Sequence, residues 1–375
     1  MNSRERIHTI LNREEPDRVG YTDGDFFADT VQKWHAEGLP EAVDSKDGSF
    51  NPWLNVLGLR HFGMDICLTE PDCSPKYDVV EYETGDGWTI MKDEFGTTTK
   101  WWTRRSSAPH FLRPVVKTRE DFKEKIEPFL DVSDIRRPAS LRYPFEEELA
   151  ETVRRLQSEF FVAVKMIGPL TYCMYLCGGL APTLIFMMKN QDFMRHMFDS
   201  IANFLARMGE GYIRAGVDGL WVADDLGGQD GPFCSPKMYA ELLKPAHREI
   251  CEPFIRKGLP RILHCDGYVE PLIVDFLEAG FVALQPLQNK IGMDVKRLKQ
   301  KYGENLTLMG GIDTEILSSG DLQAIKEEVV SKIRMAGKDG GYIVTSDGPV
   351  PPTVSLKSYQ FFVDTVRAQG SYPLR

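Results

Sequence analysis

His264, Cys265 and Asp266 follow one another directly after a short apolar run, Arg261–Leu263. Together they offer nitrogen, sulfur and oxygen donors, a set that suits a borderline ion such as zinc. In a tight turn alternate residues can aim the same way, so His264 and Asp266 can share a metal. Asp347, after another apolar run, can supply a third ligand, and Cys265 is the remaining candidate. The alternative is a buried His264 hydrogen-bonded to a neighbouring carboxylate such as Asp225.

Asp224 and Asp225 form a second constellation. Two close carboxylates push one pKa upward, as a general base and its orienter require. Equally, one of them can cap the helix that follows. Asp23 and Asp25 flank Gly24 and read either as a catalytic and a substrate-binding acid or as turn formers. Gln285 and Asp313 also stand just after apolar runs and are candidate substrate contacts. Trp101 and Trp102 can stack on a planar substrate, although adjacent strand residues face opposite ways and only one can line a mouth.

Other motifs carry less. Cys173 and Cys177 share a helix face as small core residues do. His35-Ala36-Glu37-Gly38 resembles half of a cobalamin-binding signature, but Lys33 stands where that signature has Asp, which leaves a helix end. The chain contains no Gly-rich phosphate loop, no His-Glu-x-x-His and no Gly-x-Ser-x-Gly.

The elements that must position these residues follow a regular pattern. From about residue 159 short apolar runs alternate with longer segments of helical period, the mark of parallel βαβ units. Strands are predicted at Phe160–Ile167, Gly219–Ala223, Arg261–Leu263, Val282–Leu284, Leu306–Met309 and Tyr342–Val344. Val19–Thr22 and Met64–Leu68 bring the count to eight. Over Gln191–Ala215 a stripe of Phe193, Met197, Ile201, Phe204, Met208 and Tyr212 predicts a helix packed on the barrel. Gly258, Gly280, Gly303 and Gly370 sit where left-handed helix caps are wanted. The expected architecture is one (β/α)8 TIM barrel domain spanning 1–375. Its chemistry lies at the carboxyl ends of the strands. Alternation around Gly85-Asp86-Gly87, within Tyr77–Arg105, predicts an antiparallel hairpin inserted at about 72–110 near the mouth.

With 375 residues, 42% of them hydrophobic, the chain can bury a large core. Its net charge of −10 comes from acidic and basic residues mixed along the chain, which argues against nucleic-acid and membrane-surface partners. Met1–Asn12 reads as a charged helix with Ser3 as N-cap, not as a leader, and no run is long enough to span a bilayer. Seven cysteines, an odd number, favour reduced thiols, so the expected location is the cytoplasm.

From Ser3 to Gly370 the chain resembles the uroporphyrinogen-decarboxylase-like superfamily. The residues that carry the likeness are Glu15-Pro16-Asp17-Arg18-Val19, Gly168-Pro169-Leu170-Thr171, Asp224-Asp225, His264-Cys265-Asp266-Gly267, and Tyr302-Gly303 through Met309-Gly310-Gly311-Ile312-Asp313. The resemblance implies a (β/α)8 barrel. True decarboxylases of the superfamily hold a polycarboxylate porphyrinogen on an arginine-rich N-terminal segment. Here the first strand end offers Asp23 and Asp25, which repel such a substrate.

The closer likeness is to the cobalamin-dependent methyltransferases, which use zinc to activate a methyl donor or acceptor. Their thiol-activating members have His-x-Cys at the turn and a second Cys at the last strand end, where this chain reads His264, Cys265, Asp266 and Asp347. Oxygen ligands donate less charge than thiolates and leave the ion a stronger Lewis acid, suited to an oxygen substrate. This departure from the thiol-activating pattern gives the expectation of O-demethylation instead. A small methyl donor, an aryl methyl ether stacked on Trp101 or Trp102, binds through its oxygen to zinc on His264 and Asp266. Its methyl group passes to the cobalt of a corrinoid on a partner protein, because this chain shows no corrinoid motif. Two other readings stay open: a metal-independent lyase with Asp224 or Asp225 as acid and His264 as electrophile, and a non-catalytic tetrapyrrole- or corrinoid-binding barrel. A homodimer is among the expected assemblies.

Overall fold

The computed structural model describes residues 1–23, 26–40, 56–102, 109–133 and 145–374. Asp25 and the last residues of the expected hairpin, 103–108, lie outside them. Eight parallel strands form one sheet: β1 (Gly20–Tyr21), β2 (Ile66–Thr69), β7 (Phe161–Ile167), β8 (Gly219–Ala223), β9 (Arg261–His264), β10 (Ala283–Gln285), β11 (Thr307–Met309) and β12 (Tyr342–Val344). Their order is β1-β12-β11-β10-β9-β8-β7-β2. The gap between β1 and β2 is bridged by Asp65, whose N–H donates to the Tyr21 carbonyl at 2.7 Å and whose Oδ2 accepts the Tyr21 N–H at 2.9 Å. The expected (β/α)8 barrel is thus present, each strand within two residues of its predicted bounds.

Strand side chains alternate between the barrel interior and the surrounding helices. Ile66, Leu68, Phe161, Ala163, Trp221, Ile262, Ala283, Met309 and Ile343 fill the interior as one buried cluster. The first helix, Ser3–Leu11, plugs its lower end with Ile7, Ile10 and Leu11. That helix is capped by Asn2, in a capping box with Glu5, and not by Ser3. The Ser3 hydroxyl instead donates to Asp65 Oδ1 at 2.8 Å. The outer helix Gln191–Ala215 buries the whole predicted stripe. Gly258 (φ 68°) and Gly280 (φ 110°) are left-handed, whereas Gly303 (φ −61°) and Gly370 (φ −87°) end their helices in the right-handed region.

The insertion is larger than a hairpin. It is a four-stranded antiparallel sheet in the order β3-β4-β5-β6, with β3 at Val80–Gly85, β4 at Trp88–Lys92, β5 at Thr98–Trp102 and β6 at His110–Arg113. The turn at Gly85–Trp88 closes its first hairpin as the alternation predicted. The remaining strands follow because an isolated two-stranded ribbon is marginal in water and is stabilised by further pairing. Among the described residues no single helix is long and apolar enough to cross a membrane. All seven cysteines are free thiols and buried.

Candidate active site

The inward alternation of the barrel strands continues past their apolar layers and becomes polar at the carboxyl ends. On β7, Phe161 and Ala163 are followed inward by Lys165 and Ile167; on β8, Trp221 is followed by Ala223 and then Asp225. On β9 and β10, Ile262 leads to His264 and Ala283 to Gln285. These positions line a cavity of about 430 Å³, together with Glu70 beyond β2. The antiparallel sheet closes one side through Glu94 and Phe95, in the loop between β4 and β5.

His264 sits at the centre of this group. Its Nδ1 is hydrogen-bonded to Gln285 Oε1, which leaves Nε2 as the ring nitrogen nearest the Asp225 carboxylate. Nε2 lies 3.8 Å from Asp225 Oδ1. The Asp225 carboxylate in turn accepts the Asp266 backbone N–H at 3.1 Å. Donor atoms of Asp225, His264 and Asp266 all lie within 4.8 Å of one another. A histidine tied through its second nitrogen beside two carboxylates is the kind of set that divalent zinc accepts.

The remaining candidates fall elsewhere. Asp224 points outward, one residue from Asp225, and is fully buried. It accepts the Leu170 and Thr171 N–H groups at 3.2 and 2.7 Å, at the start of the helix Pro169–Cys177, and His247 Nε2 at 2.9 Å. A side chain at Gly168 would place Cβ 2.2 Å from Asp224 Cβ, so glycine is required there. Asp224 therefore caps a helix, though not the one that follows it. Asp23 is likewise outward and buried, accepting the Tyr359 hydroxyl at 2.6 Å and the Ser346 N–H at 3.1 Å.

Cys265 also faces outward. Its sulfur accepts the Leu226 N–H at 3.2 Å, and burial pushes its thiol well above the usual range, away from the thiolate a metal needs. Asp347 follows Ser346, which is bridged to Ile312, and its own N–H donates to the Ile312 carbonyl at 2.8 Å. It accepts the N–H and hydroxyl of Thr314 at 3.1 and 2.9 Å, and burial raises its carboxyl above the ordinary range. It is not a member of the His264 donor group. Asp313 caps the helix Thr314–Ser319 and pairs with Lys290 at 3.2 Å. Neither Trp101 nor Trp102 lines the cavity: Trp101 Nε1 donates to Thr99 Oγ1 at 3.0 Å, and Lys100 lies 4.8 Å from the Trp102 ring centre. Aromatic surface comes instead from Phe95 and Tyr175, stacked at 4.7 Å, and from Trp221.

Sequence reasoning passed over Lys165 and Glu70, whose Nζ and Oε1 lie 2.6 Å apart inside the cavity. A lysine at an inward position of the apolar run Phe161–Ile167 was the available signal.

A family model for uroporphyrinogen decarboxylase (URO-D) matches residues 89–369. Curated relatives include the uroporphyrinogen decarboxylase of Pseudomonas fluorescens, 23% identical over 233 residues, or 58% of this chain and 62% of that protein. That of Pseudomonas paraeruginosa is 24% identical over the same shares. The match thus spans 62% of the length of these relatives. Among solved structures, a methyltransferase from Methanosarcina mazei shares the fold, with a TM-score of 0.65 at 16% identity over 98% of this chain and 99% of that one.

Proposed function

The chain belongs to the uroporphyrinogen decarboxylase family, and from that premise we propose that it is a metal-assisted methyltransferase of this fold. In this reading it moves a methyl group from a small methylated donor, an aryl methyl ether, to the cobalt of a corrinoid carried by a partner protein. The observation that carries the reading is the Asp225–His264–Asp266 group at the carboxyl ends of β8 and β9. It replaces the set of His264, Asp266 and Asp347 expected from the sequence, with Asp225 in the third place.

A zinc ion held there would supply Lewis acidity toward an ether oxygen, greater with carboxylate than with thiolate ligands. The protein's own groups do the rest. Gln285 fixes the His264 ring so that Nε2 faces the cavity, and the Asp266 N–H holds the Asp225 carboxylate in place. Phe95, Tyr175 and Trp221 offer flat apolar surface to an aryl ring and displace water from around the reacting oxygen. Decarboxylation of a polycarboxylate fits poorly, because Glu70, Asp72, Glu94 and Asp225 line the cavity against a single lysine. The test is direct: zinc-loaded protein, methoxybenzene or a methoxyphenol, and free cob(I)alamin should yield methylcobalamin, followed by its visible spectrum. No conversion with any methoxyarene, in protein with zinc bound, would overturn the reading.

A further inference from the structure

The cavity contains an ion pair that methyl transfer at the His264 group does not use. Glu70 directly follows β2 and Lys165 is the next inward residue of β7 after Ala163, on strands paired in register at Thr69 and Val164. Their charged atoms are 2.6 Å apart, with the Glu70 side chain 33% and the Lys165 side chain 24% exposed, so the pair opens onto the cavity without facing bulk solvent. An ammonium has three N–H donors and a carboxylate two accepting oxygens, so their contact with each other does not by itself exhaust either group.

The surroundings decide what such a pair can read. Asp72, Glu94 and Asp225 also line the cavity, and among the described lining residues Lys165 is the single lysine or arginine. Its charge is already matched by Glu70. A ligand carboxylate approaching Lys165 meets a cation already matched and loses its hydration among like charges. A hydroxyl both donates and accepts, and can give its hydrogen to Glu70 while taking one from Lys165. The stacked Phe95–Tyr175 wall and Trp221 provide the flat surface on which a ring bearing that hydroxyl would lie.

We propose that Glu70 and Lys165 form a hydroxyl-reading pair that selects uncharged phenolic substrates and rejects aryl carboxylates. The proposal rests on the methyl-transfer reading for the methoxy group alone; the preference for a hydroxyl is a property of binding. Calorimetric titration of the zinc-loaded protein with methoxybenzene, the three methoxyphenol isomers and methoxybenzoate tests it. At least one methoxyphenol should bind about tenfold tighter than methoxybenzene, as one added charge-assisted hydrogen bond implies. Methoxybenzoate should bind more weakly than methoxybenzene.

In Lys165→Met and Glu70→Gln that hydroxyl advantage should fall to roughly threefold or less. The readout is the ratio of methoxyphenol to methoxybenzene affinity within each variant, so a general change in the cavity cancels. Tighter binding of methoxybenzoate than of methoxybenzene would overturn the proposal, as would a full hydroxyl advantage surviving in both variants. A hydroxyl preference without methyl transfer would leave the pair standing and remove the methyltransferase. Methyl transfer without the preference would do the reverse.

Discussion

The two ends of the barrel use carboxylates in opposite ways. At the closed lower end the fully buried Asp65 is saturated: it accepts Arg6 Nη1 at 2.9 Å, Arg18 Nη1 and Nη2 at 2.8 Å each, Ser3 Oγ at 2.8 Å and the Tyr21 N–H at 2.9 Å. At the open upper end Asp225 has a 44% exposed side chain, His264 a 28% exposed one, and both face a cavity. Below, buried charge is consumed in closing the sheet and anchoring the first helix. Above, charge is held in position and turned toward the cavity. Carboxylates of the same chemistry thus close the sheet in one place and line a cavity in another, and burial with donors separates the two.

Substitution should separate them as sharply. Asp65→Ala leaves the Arg6 guanidinium, with a side chain only 7% exposed, without its inner partner. It should cost roughly 3–5 kcal/mol in urea denaturation. A loss under about 1 kcal/mol would break the comparison. His264→Ala should change stability by no more than roughly 1 kcal/mol yet reduce methyl transfer to background. The adjacent pair repeats the contrast on a smaller scale. Asp224→Asn should destabilise by roughly 1–3 kcal/mol through the His247 and helix N–H contacts while zinc is retained. Asp225→Asn should keep stability within roughly 0.5 kcal/mol and weaken zinc binding.

The smallest effect concerns the loop that brings the antiparallel sheet to the cavity. Burial pushes the Asp93 carboxyl from the ordinary 3.8 up to about 6, against the opposing pull of the Thr97 N–H. The folded protein therefore binds a proton between these values that the unfolded chain has released, and stability falls as pH rises through that window. Asp93→Asn, which keeps an acceptor for the Phe95 and Thr97 N–H groups, should flatten this slope and gain about 1 kcal/mol at pH 7. An unchanged slope between pH 4 and 6 would assign the effect elsewhere.

The barrel was legible because its strands are short apolar runs bounded by turn residues, and Gly219–Ala223 and Tyr342–Val344 match residue for residue. The place of His264 in the cavity was legible for the same reason: a strand end is a fixed place. Orientation was harder. Asp224, Asp23 and Cys265 failed as cavity residues because each is one position out of phase with an inward neighbour, and a single-residue step reverses the face. Reading that phase from Trp221 and Ala223 would have chosen Asp225 over Asp224. Asp347 lies outside the His264 group for another reason: its carboxylate is taken up by Thr314, a tertiary contact that no local pattern encodes. Glu94 and Phe95 reach the cavity through the docking of an inserted sheet, a tertiary fact the alternation of β4 and β5 does not contain.

The most direct test of the central claim is zinc content by elemental analysis, on untagged protein, across Asp225→Ala, His264→Ala, Asp266→Ala and Asp347→Ala. The account predicts near-stoichiometric zinc in the wild type, its loss in the first three variants and its retention in Asp347→Ala. Zinc that persists without Asp225 and disappears without Asp347 would contradict it.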